Sequence, residues 1–144
     1  MEYDFVIVGA GPIGGLLAQR LCKGGATVLI IEEHAQVGRP FQCAGLVNPE
    51  AMELVGLTDT VLTPIWGARI HSPSGQVVSV GSPEVVRTWS VCRKLFDEAM
   101  IESAVDLGAD LWLSSSPISA EQDEAGVDIN ISTPGGQVSV RCSM

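Results

Sequence analysis

The sequence predicts an α/β protein: a parallel sheet packed by helices, with a β-meander inserted. Three observations carry this. An apolar run, Phe5 to Val8, leads directly into Gly9-x-Gly11-x-x-Gly14. A helical pattern then joins it to a second apolar run, Val28 to Ile31, which ends on the carboxylate of Glu32. Later segments alternate apolar and polar residues around turn sequences, which is the period of exposed β-ribbons rather than of buried parallel strands.

The first 32 residues have the layout of a dinucleotide-binding βαβ unit. Gly9 allows the tight turn out of the strand. Gly11 lets the backbone approach a pyrophosphate, and Gly14 lets the helix lie against the strand. The helix N-terminus offers unpaired N–H groups and a partial positive charge to phosphates. Pro12 suits the first helical turn because its missing N–H costs nothing there. Ile13, Leu16, Leu17 and Leu21 share one helical face, and Gly24-Gly25 supplies the stop. Glu32 lies eighteen residues after Gly14, where it can accept hydrogen bonds from a ribose diol. Glu32 and Glu33 would repel a 2′-phosphate, so NADP is disfavoured. The unit alone leaves NAD and FAD open.

After Glu32 a polar loop runs to Val47. Asn48 caps a short helix with Pro49 at its first position, ending near Gly56. Ala68–His71 and Val77–Val80 form two strands joined by the turn Ser72-Pro-Ser-Gly75. A further strand, Val85 to Trp89, follows Pro83. Arg93 to Leu107 reads as an amphipathic helix with Phe96, Ala99, Met100, Ser103, Ala104 and Leu107 on one face, stopped by Gly108. Leu111 to Leu113 is a short strand. Val127, Ile129 and Ile131, then Val138 and Val140, alternate with polar residues across Thr133-Pro-Gly-Gly136, which is a hairpin.

Composition excludes several function classes. At 144 residues the chain is one domain or part of one, long enough for a core. A net charge of −9 argues against a nucleic-acid partner. The apolar runs are strand-length, too short for a transmembrane helix. Glu2 and Asp4 flank the first of them, which argues against a signal peptide. Four cysteines without C-x-x-C spacing and two histidines, His34 and His71, suggest no metal site and fit a reduced, cytoplasmic setting. Both histidines read as surface residues, and Trp66, Trp89 and Trp112 as core. Arg39 either pairs within its loop or reaches a cofactor. By residue type alone Cys43 is a small buried thiol, or else a residue facing a ligand. No Ser-His-Asp or paired-carboxylate constellation is present, which fits chemistry carried by a cofactor.

Tyr3-Asp4-Phe-Val-Ile-Val-Gly-Ala-Gly-Pro-Ile-Gly with Glu32 resembles the start of the p-hydroxybenzoate-hydroxylase-like flavoproteins. Gly38-Arg-Pro-Phe-Gln-Cys43-Ala-Gly-Leu46 is similar to a segment of their geranylgeranyl reductase branch, where a cysteine follows Gly-x-Pro. Gly67 to Gly75, Arg93-x-x-Phe-Asp97 and Ala109-Asp-Leu resemble later landmarks of that branch, and of its archaeal digeranylgeranylglycerophospholipid reductases above all.

The resemblance implies a Rossmann-like FAD-binding domain over residues 1–144, truncated before the last parallel strand, the N-terminal part of a longer protein whose prenyl-substrate domain is absent. It implies FAD as cofactor and reduction of carbon–carbon double bonds in prenyl chains. Gly9 and Gly11 would belong to the cofactor-binding turn, Ile13 and Gly14 would meet the pyrophosphate by backbone N–H, and Glu32 the ribose. Cys43, Ala44 and Leu46 would line the flavin side, Cys43 facing flavin and substrate as the candidate catalytic residue. Arg93 would approach the cofactor from its helix start, and Ile118 would pack near the adenine. A prenyl lipid substrate, an external electron donor (NAD(P)H or ferredoxin-like) and peripheral membrane contact of the full-length protein follow. The sequence departs from the branch at Glu33, where a basic residue is usual. Two other readings stand beside this one: a flavin monooxygenase or halogenase of the same superfamily, against which the Cys43 segment argues, and a non-catalytic prenyl-binding module.

Overall fold

The computed structural model describes residues 1–40 and 43–143. Strands β1 (Glu2–Tyr3) and β2 (Phe5–Val8) precede helix α1 (Pro12–Lys23) and strand β3 (Val28–Ile31). Then come β4 (Leu46–Val47), α2 (Pro49–Val55), a 3-10 turn (Thr58–Thr60), β5 (Val61–Ile65), β6 (Gly67–His71), β7 (Val77–Gly81) and β8 (Thr88–Val91). Helix α3 (Arg93–Asp106), β9 (Asp110–Trp112), β10 (Ser116–Asp123), β11 (Gly126–Thr133) and β12 (Gly136–Cys142) complete the described chain. Contacts divide it into two units, residues 1–41 with 94–144, and residues 42–93.

The first unit is built around β3. A parallel sheet of order β2-β3-β9 places it in the middle. All four of its residues, Val28 to Ile31, are buried, so both faces must be covered. Val28 and Ile30 pack on one side with Ala18 of α1 and Ile101 and Ala104 of α3. Leu29 and Ile31 pack on the other with Ile129, Ile131 and Val140 of the meander. The period of two along one strand thus joins three layers: helices, parallel sheet and the antiparallel sheet β10-β11-β12. Strand β1 adds to that sheet by pairing in parallel with β12. Asp4 ties the start of β2 to the start of β3, its carboxylate accepting both the N–H and the hydroxyl of Thr27. Arg141 of β12 bridges Asp123 and Asp128 across the meander.

Two helical faces differ from the expected ones. In α1 the buried residues are Gly15 and Ala18, and Leu21 of the expected face packs against the same core, while Ile13 is 79% and Leu17 47% exposed. The helix lies too close to its neighbours for leucine: a Cβ at Gly15 would stand 3.1 Å from Met100. In α3 the buried set is Phe96, Asp97, Met100, Ile101 and Ala104, and Leu107 is exposed. The stripe is turned by about one residue, because Ile101 faces the sheet in place of Leu107.

The expected hairpin is a three-stranded meander. Its extra strand, β10, is mostly polar and exposed along its length, and forms by pairing with β11. The strand expected at Leu111–Leu113 lies at Asp110–Trp112.

The second unit holds a sheet of order β4-β8-β5 and the separate hairpin β6–β7. The strand expected from Val85 to Trp89 begins only at Thr88. Pro83 to Val85 belong to a turn closed by Val85 N–H on the Ser82 carbonyl. Asn48 caps α2 as its type requires, its Oδ1 accepting the Ala51 N–H at 2.8 Å, and Gly56 ends the helix at φ +70°. Pro64 is tolerated in β5 because β5 is an edge strand. The hairpin β6–β7 is exposed throughout, and Trp66 beside it is exposed rather than in a core. No helix among the described residues is long and apolar enough to cross a membrane.

Candidate functional site

The glycine turn sits between β2 and α1. Gly9 takes φ +103°, which favours glycine, and its N–H donates to the Ile31 carbonyl at 2.8 Å. That bond fixes the turn to the end of β3. A Cβ at Gly14 would lie 2.2 Å from the Gly9 carbonyl oxygen, so glycine there is a packing requirement of the protein itself. Gly11 is different. Its backbone is extended, at φ −84° and ψ 179°, and a Cβ built on it meets no protein atom within 4 Å. The space beside Gly11 is therefore open. Gly11 is also the N-cap of α1 and makes no side-chain cap. Pro12 has no N–H, and the N–H groups of Ile13 and Gly14 have no acceptor within the helix. No acidic residue lies in the first turn, while Arg20 and Lys23 lie in the last. The field of α1 is thus left intact for an anion at its start.

Glu32 follows β3 and turns back to this site. Its Oε2 accepts the Ala10 N–H at 2.8 Å, and its Oε1 accepts the His34 N–H at 3.0 Å. The His34 imidazole also meets Oε1, with Nδ1 at 2.5 Å. An ionised carboxylate carries no proton, so Nδ1 is the donor there. Burial pushes the Glu32 pKa up, but the donors from Ala10 and His34 outweigh it and hold the carboxyl below its usual value. The segment is pinned from β9: Glu32 N–H donates to the Trp112 carbonyl, and Ser114 N–H to the His34 carbonyl. An open cavity of about 620 Å³ has His34, Gly38, Arg39 and Lys94 in its wall. Arg39 is exposed there.

In the second unit, Cys43 and Ala44 are exposed, so Cys43 is not a buried thiol. Its Sγ accepts the Gly45 N–H at 3.4 Å. Gly45 takes φ +69° and is buried against β8, its carbonyl accepting the Val91 N–H at 2.8 Å. A Cβ there would meet the Val91 oxygen at 2.4 Å and Arg93 Cγ at 3.2 Å. Leu46 pairs with Ser90 in β4–β8 and is 58% exposed. The fold therefore brings Gly45, between Ala44 and Leu46, next to Arg93. Phe41 and Gln42 of the same segment lie outside the described residues.

Within the first unit, Gly9, Gly11, Ile13, Gly14 and Glu32 meet at one end of the parallel sheet. Ile118 lies in β10, at a register irregularity between Pro117 and Ser119, and is 52% exposed. The feature that sequence reasoning missed is His34. Its residue type and position predict a plain surface residue, and it is half-exposed but bonded to Glu32 through both its ring and its backbone. The i, i+2 spacing of acid and histidine in a turn was the available signal.

These residues fit the ADP half of a dinucleotide: open space at Gly11, free N–H groups at a helix start, and an oriented carboxylate. The family described as FAD binding domain matches residues 2–143. Digeranylgeranylglycerophospholipid reductase 1 of Methanosphaera stadtmanae is 28% identical over the whole chain and 37% of its own length. Digeranylgeranylglycerophospholipid reductase 2 of Methanopyrus kandleri is 34% identical over 88% of this chain and 32% of its own. The chain thus spans about a third of the length of these relatives. Among solved structures, a geranylgeranyl bacteriochlorophyll reductase-like protein of Thermoplasma acidophilum matches with a TM-score of 0.89 and 25% identity, over 99% of this chain and 38% of that one. An anhydrotetracycline hydroxylase of Streptomyces rimosus matches at 0.78 and 27%, over 99% of this chain and 30% of that one. The resemblance to the geranylgeranyl reductase branch stands on these matches, the cofactor is FAD, and the chain belongs to the FAD-binding-domain family.

Proposed function

We propose that this chain is the FAD-binding part of a reductase that saturates carbon–carbon double bonds in the geranylgeranyl chains of membrane lipids. The observation that carries the reading is the match of 88–100% of the chain to relatives named as digeranylgeranylglycerophospholipid reductases. The turn joined to Glu32 supports it. When bound, the flavin supplies the hydride-transfer chemistry.

The residues of this chain bind and orient. Ile13 and Gly14 donate backbone N–H groups to the pyrophosphate, whose approach needs the open space at Gly11 between Gly9 and α1. Glu32 accepts from the adenosine ribose, and Ile118 packs toward the adenine. By resemblance, Cys43, Ala44 and Leu46 line the flavin side and Arg93 approaches the cofactor from the start of α3. Cys43 then faces flavin and substrate. An external donor, NAD(P)H or ferredoxin-like, supplies the electrons. The enzyme is cytoplasmic and meets its lipid substrate at the membrane surface. Residues 1–144 act as one FAD-binding domain.

Full-length protein, reduced with dithionite and mixed with geranylgeranyl lipid, should give products heavier by two hydrogens per double bond in mass spectrometry. Unaltered lipid with fully reduced flavin would refute the reading. A second reading, a flavin monooxygenase, is favoured by the TM-score of 0.78 and 27% identity to anhydrotetracycline hydroxylase. Oxygen consumption with an aromatic substrate would select it.

A further inference from the structure

Glu32 already has three donors. Two are backbone groups, the N–H of Ala10 on Oε2 and the N–H of His34 on Oε1. The third is the His34 imidazole on Oε1. An ionised carboxylate offers about four acceptor sites, so one is left, on Oε2. An adenosine ribose presents two hydroxyls. Five donors then compete for four sites.

The donors differ in how easily they leave. The Ala10 amide belongs to the glycine turn, and the His34 amide is fixed by Ser114 N–H on its own carbonyl. Both stay whatever side chain stands at 34, and together they keep the carboxylate oriented. The imidazole is not fixed in this way. Its side chain is 40% exposed, and it borders the open cavity of about 620 Å³. Its Nε2 lies 4.0 Å from the exposed carboxylate of Glu33, and Arg39 and Lys94 share the cavity wall.

We propose that the His34 imidazole occupies the acceptor site on Glu32 that the second ribose hydroxyl requires, and that it swings into the cavity when the cofactor's adenosine is gripped by both hydroxyls. The proposal rests on the reading that Glu32 holds the ribose. His34 then sets affinity by competition, not by support. Wild-type protein gains one hydroxyl bond to the carboxylate and loses one imidazole bond. A protein without the ring gains without losing.

The test is a flavin-fluorescence titration of the full-length protein with FAD and with an FAD analogue lacking the adenosine 2′-hydroxyl. His34→Ala should bind FAD about tenfold more tightly than wild type, the scale of one hydrogen bond to a charged group. It should bind the analogue as wild type does, because one hydroxyl needs only the free site. His34→Asn, whose amide can donate in place of Nδ1, should stay near wild type. Unchanged or weaker FAD binding by His34→Ala overturns the proposal, and so does an equal gain with the analogue. Glu32→Ala separates the two readings: unaltered FAD affinity there refutes ribose binding by Glu32 itself. Absence of FAD binding in every protein overturns both.

Discussion

Two glycines of one turn should respond in opposite ways. Gly11→Val places its side chain in space that no protein atom occupies within 4 Å, on a backbone already extended at φ −84°. Valine is a poorer N-cap than glycine by a few tenths to about 1 kcal/mol. It also has less freedom in the unfolded chain, worth about 0.4–1 kcal/mol in the other direction. The two nearly cancel, so the melting temperature without FAD should hardly move. FAD binding should be abolished, because the added methyls fill the pyrophosphate's space. Gly14→Ala meets the Gly9 carbonyl oxygen at 2.2 Å and Ile7 Cγ2 at 3.3 Å, and something must shift. Overpacking of this kind costs about 1–3 kcal/mol, or roughly 4–12 °C in melting temperature for a domain of this size. Circular-dichroism melts without FAD, paired with flavin titrations, separate the effects. Equal flavin affinity in Gly11→Val and wild type would refute the reasoning. So would a Gly11→Val protein that unfolds while Gly14→Ala melts normally.

Other perturbations test neighbouring links. Glu32→Ala removes an acceptor of charge-assisted bonds worth roughly 1.5–3 kcal/mol, so FAD affinity should fall about tenfold to a hundredfold, and an unchanged dissociation constant would show that Glu32 points elsewhere. Because donors hold the folded Glu32 carboxyl low, its contribution to stability is complete above the unfolded value of about 4.3 and is lost as pH falls through the folded value; acid melts of wild type against Glu32→Gln would show the difference. Tyr3 is the only tyrosine, and its hydroxyl donates to Asp110 at 2.6 Å. Burial, then the bond and charge of Asp110, push its phenol up to about 12. Its contribution is therefore present below the unfolded value of about 10 and lost as pH rises through about 12, and an ultraviolet titration that shows phenolate near 10 in folded protein contradicts this. The 144-residue chain spans about a third of its named relatives, and alone it should neither saturate geranylgeranyl lipids nor hold FAD stoichiometrically; a yellow, active chain would overturn that.

What the sequence carried best was local. Gly9-x-Gly11-x-x-Gly14, the two apolar runs and Glu32 are each set by constraints within a few residues: a positive φ, a close approach, a strand period. Asn48 and Gly56 are legible for the same reason. What it carried badly was packing at a distance. The leucines of α1 have helical spacing, but nothing in them says that Met100, eighty-five residues beyond Gly15, stands where only a glycine fits. Strand β10 has little apolar signal, since its pairing with β11 supplies the order that its side chains do not. In α3, the choice between Ile101 and Leu107 is made by the sheet beneath and cannot be read from the helix alone.

The same distinction explains why the site was legible and its chemistry only in part. Glycines and a strand-end acid announce a dinucleotide because the ligand's demands fall on backbone positions. The state of Glu32 depends on where three donors converge, and two of these, Ala10 and His34, lie twenty-four residues apart in sequence. The Gly9 N–H on the Ile31 carbonyl sets the end of β3 against the turn, and that one contact delivers the Glu32 carboxylate to Ala10. His34 follows because Ser114 holds its carbonyl from the end of β9. An acid that looks free in the sequence is thus three-quarters occupied in the fold. Its ribose affinity is a competition that the acid's own position in the sequence does not disclose.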